Sequence, residues 1–86
     1  MNQSDLLNKW KHKISSGFYG FDGLPEEWCH IIDFALTRID KQDSDFEIQQ
    51  IKVKFGGCRF YITGKESSLK IADIVETLLF DGSLIY

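Results

Sequence analysis

The chain has 86 residues, 43% of them hydrophobic and 14% aromatic, and carries a formal net charge of −3. This length makes one small domain, and a chain of this size buries only about 60% of its unfolded surface, so large aromatic side chains must carry much of the core. The composition is too apolar for a disordered tail, and the acidic balance argues against general affinity for nucleic acid, leaving electrostatic action to local patches.

Residues 1–13 are polar, with no apolar stretch of the signal-peptide kind, and no run approaches the roughly 20 apolar residues that a membrane helix needs. The expectation is a cytoplasmic domain with no membrane association and with free thiols at Cys29 and Cys58, whose spacing fits neither C-x-x-C nor a metal finger. Residues 4–16 predict a helix. Ser4 is its cap, Asp5 suits its positive end, and Leu6, Leu7, Trp10 and Ile14 share one face. Gly17 is its stop. Residues 17–24 read Gly-Phe-Tyr-Gly-Phe-Asp-Gly-Leu, a glycine-rich aromatic loop without phosphate-loop spacing. Phe18 and Phe21 are expected to pack beneath it, and Tyr19 is a candidate contact residue, because tyrosine is favoured in interface cores.

Residues 25–40 predict the strongest helix, with Pro25 in its first turn and Trp28, Ile31, Ile32, Ala35, Leu36 and Ile39 on one apolar face. Phe34 is placed at the flank of that face and His30 on the solvated side. The polar loop 41–45 is rich in acids but fails the calcium-loop spacing. Counted from Asp43, position six is Ile48 and position twelve is Lys54.

Residues 50–63 predict a β-hairpin turning at Gly56-Gly57, because a type I′ turn needs positive φ at both central positions. That turn sets Phe55 opposite Cys58, Val53 opposite Phe60 and Ile51 opposite Ile62, all on the core side. The outer side then carries Lys54 opposite Arg59 and Lys52 opposite Tyr61, the latter a cation–π pair. The first strand begins near Phe46, and its change of parity calls for a bulge at Gln49-Gln50. Gly64 breaks the chain before a helix from about Ser67 to Phe80, capped by Ser67 or Ser68, with Ile71, Ile74, Val75, Leu78 and Leu79 as its buried stripe. Gly82 ends it. The fold class is α+β, a single domain over 1–86 in the order α-α-β-β-α, with the antiparallel hairpin packed on the helices.

The stretch Gln50-Ile51-Lys52-Val53-Lys54-Phe55-Gly56-Gly57-Cys58-Arg59-Phe60-Tyr61 resembles a group of small uncharacterised bacterial and phage proteins that carry a Lys-x-Lys-Phe-Gly-Gly-x-Arg-Phe-Tyr hairpin. Trp28, Ile31 and Ile32 match it more loosely. Cys58 stands where the group has leucine. Val53 stands where it has glutamate, which sits badly with a core position. Many relatives continue into a cysteine-containing tail; this chain shows none, so no metal role is expected. The resemblance implies a phage or mobile-element setting.

No catalytic constellation converges. Cys29 and His30 are neighbours on a helix and so point about 100° apart, and no cofactor or metal is expected. The expected function is a small non-enzymatic protein-binding module. In a phage setting it would be an anti-CRISPR-like inhibitor that sterically blocks a host protein or complex for defence or nucleic-acid cleavage. The candidate contact residues are Lys52, Lys54, Arg59, Tyr61 and Tyr19. The alternative is a nucleic-acid-binding accessory protein that uses the same basic face with Tyr61 stacking on a base. A homodimer through the hairpin edge or the apolar tail Leu84-Ile85-Tyr86 is compatible with either.

Overall fold

The computed structural model describes residues 1–15 and 21–79, with the backbone alone for residue 22. The first helix, α1 (Gln3–Trp10), starts at Asn2 rather than Ser4. The Asn2 side chain accepts the Asp5 N–H at 2.9 Å and the Asp5 carboxylate accepts the Asn2 N–H at 3.1 Å, a reciprocal capping box. The helix also stops earlier than the pattern suggests. A 3-10 turn, Lys11–Lys13, follows Trp10, and Ile14 then runs extended in a parallel bridge to Ile48. The sheet takes over the backbone here, since Ser15 N–H donates to the Ile48 carbonyl at 3.0 Å. The expected stop at Gly17 lies outside the described residues.

A short strand absent from the expected order, β1 (Phe21–Asp22), pairs in parallel with Ile51 and Lys52. Two parallel strands need a long crossover between them, and α2 (Glu26–Gln42) supplies it. Pro25 is the N-cap of α2. Trp28, Ile32, Ala35, Leu36 and Ile39 are buried as the periodicity predicts, and Cys29 with them. Phe34 is not a flank of the core. At 100° per residue it stands about 200° from both Ile32 and Leu36, and it is 64% exposed, with the Arg38 guanidinium 5.9 Å from its ring centre. Helix α1 is pinned to α2 at Asp33, which accepts the buried Trp10 Nε1–H at 2.8 Å and pairs with Lys9 at 2.9 Å.

The hairpin consists of β2 (Glu47–Lys54) and β3 (Gly57–Thr63), so the sheet order is β1-β2-β3. Its turn is Phe55-Gly56, one residue earlier than predicted, and the pairs are Val53 with Cys58, Ile51 with Phe60 and Ile48 with Ile62. This register keeps the same residues on the core side except Phe55. The bulge expected at Gln49-Gln50 is present, as a register shift between Ile48 and Gln50. Val53 is half-buried at the rim of the core.

The last helix, α3 (Glu66–Leu78), buries Ser68, Ala72 and Val75, with Leu79 just beyond it. The predicted stripe is therefore rotated: Val75 and Leu79 are inside, Ile71 is half-buried, and Ile74 and Leu78 are 58% and 46% exposed. Neither Ser67 nor Ser68 is the cap, which is Lys65. No side chain caps the first turn of α3, but Asp43, the C-cap of α2, ties its start down. Its buried carboxylate accepts the Lys65 N–H at 2.7 Å and the Ser68 hydroxyl at 2.9 Å, turning Ser68 inward. Gly64 makes room for it, since a Cβ there would lie 2.5 Å from the Asp43 oxygen and 3.3 Å from Phe46 Cβ. Phe80, Gly82 and the tail Leu84-Ile85-Tyr86 lie outside the described residues.

The core lies between the inner face of the sheet (Ile48, Ile51, Cys58, Phe60, Ile62) and α2 and α3, with Leu6 and Trp10 of α1 at one side. The α+β class and the hairpin on helices stand. Among the described residues no helix is long and apolar enough to cross a membrane.

Candidate interaction surface

Alternation along β2 and β3 turns Lys52, Lys54, Arg59 and Tyr61 to the side of the sheet away from the core. The earlier turn changes their neighbours. Lys52 stands directly opposite Arg59, and Tyr61 opposite Gln50, while Lys54 pairs with Gly57. The expected Lys54–Arg59 and Lys52–Tyr61 pairs are therefore replaced, and the cation–π contact lies instead between Lys54 Nζ and the Phe55 ring, 5.6 Å from its centre. Lys54 is exposed, Tyr61 is 47% exposed, and Lys52 and Arg59 are half-buried. Tyr19, the remaining candidate, lies outside the described residues.

None of the three hairpin cations enters an ion pair with a described residue. Elsewhere Lys9 pairs with Asp33 and Lys13 lies 3.4 Å from Asp40, with its ammonium also over the Phe46 ring at 4.8 Å. Lys9 and Lys13 are thus tied into the fold, whereas the hairpin cations, like Lys11, Arg38 and Lys41, enter no ion pair with a described residue.

The tip is the part that sequence patterning missed. Phe55 has φ +55°, followed by Gly56 at +76°, so both central positions meet the type I′ requirement. The Phe55 side chain is 91% exposed. A signal was available: in Lys-Phe-Gly-Gly either Phe-Gly or Gly-Gly can be the two-residue loop, and both preserve the faces of the remaining residues. Preference for glycine at positive φ selects the wrong one.

A shallow hollow of about 320 Å³ lies at the base of the tip, lined by Lys54, Phe55, Gly57, Cys58, Arg59 and Glu76. Glu76 also lines a second hollow, of about 330 Å³, between β3 and α3. Its carboxylate accepts the Phe60 N–H at 2.7 Å, and the Leu79 carbonyl accepts the Cys58 N–H at 2.9 Å. These donors point away from β2, along the outer edge of the sheet. The end of α3 therefore occupies two edge donors that an added strand would need.

Cys29 and Cys58 are free and buried. Burial, reinforced by Glu76, pushes the Cys58 thiol up to about 12, and burial also raises Cys29, so neither supplies a thiolate nucleophile near neutral pH. Among the described residues no group of three or more His, Cys, Asp or Glu is placed to hold a metal ion. The chain matches no protein-family profile, no curated protein and no solved structure.

Proposed function

We propose that the chain is a small non-enzymatic protein-binding module, and that its contact surface is the solvent face of the hairpin: Lys52, Lys54, Arg59 and Tyr61. The observation that carries this reading is the clustering of three cations, outside any ion pair with a described residue, on one sheet face of an acidic chain. Like charges directly across a ladder disfavour the hairpin, and Lys52 faces Arg59. A solvated, charged face is a common defence against edge-to-edge aggregation. Here Glu76 and Leu79 already cover the β3 edge at Phe60 and Cys58, so that stretch relies less on the cations for protection. A partner surface rich in carboxylates complements them.

In the phage or mobile-element setting that the hairpin resemblance implies, the module is an inhibitor that blocks a host complex by occupying its surface. The test compares the full chain with the double variant Lys54→Glu/Arg59→Glu, both immobilised and shown to be folded, against an extract of the cells that express it. The expected result is a protein held in defined proportion by the native chain and reduced at least about tenfold by charge reversal. Equal capture by both contradicts the proposal. So does tight binding of labelled single-stranded DNA or RNA that falls steeply between about 50 and 200 mM salt, which assigns the face to nucleic acid.

A further inference from the structure

We infer that Phe55 is the anchor of this surface: an aromatic knob at the hairpin tip that enters an apolar pocket on a protein partner, with Lys54 and Arg59 meeting carboxylates at the pocket's rim. The inference rests on the protein-binding reading above and adds the residue that carries the contact and the chemistry of its receptor.

The backbone is the first argument. The turn demands positive φ at position 55, and glycine, asparagine and aspartate meet that demand with little or no penalty. A bulky aromatic residue at φ +55° is an outlier, because its Cβ crowds the following carbonyl. The side chain is the second. At 91% exposure the ring adds almost nothing to the core, and it is more exposed than Phe34 at the surface of α2. Backbone strain lowers the stability of the isolated chain, and the exposed ring does almost nothing to offset it. Strain of this kind is held by the surrounding structure, here the hairpin register, and clusters at ligand-binding and switch regions.

The surroundings define the receptor. A ring projecting from a two-residue tip matches a pocket rather than a flat surface, and buried aromatic residues are the commonest energetic anchors of protein interfaces. Lys54 and Arg59 line the hollow at the base of the knob and have no ion-pair partner among the described residues, so carboxylates at the rim of the pocket complement them. The net charge of −3 weighs against a phosphate backbone as the receptor.

The test places the photoreactive residue p-benzoylphenylalanine at position 55, and separately at position 61, in the full chain, and irradiates each in an extract of the cells that express it. The expected result is a protein adduct from position 55 whose cross-linked peptide contains Asp or Glu. The native chain should suppress it at least about tenfold better than the Phe55→Asn chain does. Phe55→Asn gives the turn its most favoured type I′ pair, so this variant should stay folded, with its unfolding constant lowered about fivefold. Three results overturn the inference and leave the hairpin-face reading standing. They are an adduct from position 61 with none from 55, equal competition by Phe55→Asn, or an unfolded Phe55→Asn chain. No specific protein adduct from either position, or adducts to nucleic acid alone, overturns both.

Discussion

At the open end of the hairpin, Asp43 is buried, its carboxylate bonded to Lys65 N–H and Ser68 Oγ, and Gly64 leaves the space it occupies. At the closed end, Phe55 holds a left-handed backbone with its ring in solvent, beside cations that have no ion-pair partner among the described residues. The first region shows how a thin core is locked. Its polar groups are satisfied, and among the described residues no buried side-chain nitrogen or oxygen lacks a partner. The second shows the opposite treatment, with strain, exposed apolar area and like charges kept together. The two ends of one hairpin thus differ: the clasp holds α2 and α3 together, and the tip is left to solvent.

Four substitutions test that contrast, beginning with the largest effect. Gly64→Ala forces a Cβ against a carboxylate that is held by two hydrogen bonds and against Phe46. We expect a loss of about 1–3 kcal/mol in urea denaturation. Glu76→Ala removes the charged acceptor from Phe60 N–H at the sheet edge. It should lower stability by about 1 kcal/mol, and sedimentation should then show association that grows with concentration, as the uncovered edge accepts a second strand.

A third test uses pH. The Lys65 N–H, aided by the Ser68 hydroxyl, holds the Asp43 carboxyl below its ordinary value against the opposing effect of burial. A depressed acid stabilises the fold fully above its unfolded value, and that contribution is lost as pH falls through the lower folded value. Urea midpoints measured from neutral to strongly acid pH should therefore show the native chain losing an advantage that Asp43→Asn never had. A constant difference between the two at every pH would contradict the assignment. The smallest change in stability is expected from Lys54→Ala, within about 0.5 kcal/mol of the native chain, because its ammonium makes no ion pair within the described fold.

Much of the architecture was legible because it rests on periodicity. The inner residues of β2 and β3 alternate, the bulge follows from the change of parity after Ile48, and the apolar face of α2 repeats at helical spacing. What escaped depends on contacts distant in sequence. Strand β1 has only two residues and so no period to read. The rotation of α3 follows from Ser68 bonding to Asp43, 25 residues earlier, whereas a serine near a helix start reads locally as a cap. At the site, the cationic face was legible from alternation alone. The knob was not, because preference for glycine at positive φ argues against phenylalanine there, and the conflict between local preference and observed backbone is what marks the position.

The central claim is that position 55 is not optimised for the fold. The most direct test is the urea midpoint of Phe55→Asn beside the native chain. Release of the left-handed strain predicts a variant more stable by about 1 kcal/mol. A less stable variant would show that the Phe55 ring supports the fold, and would contradict the account.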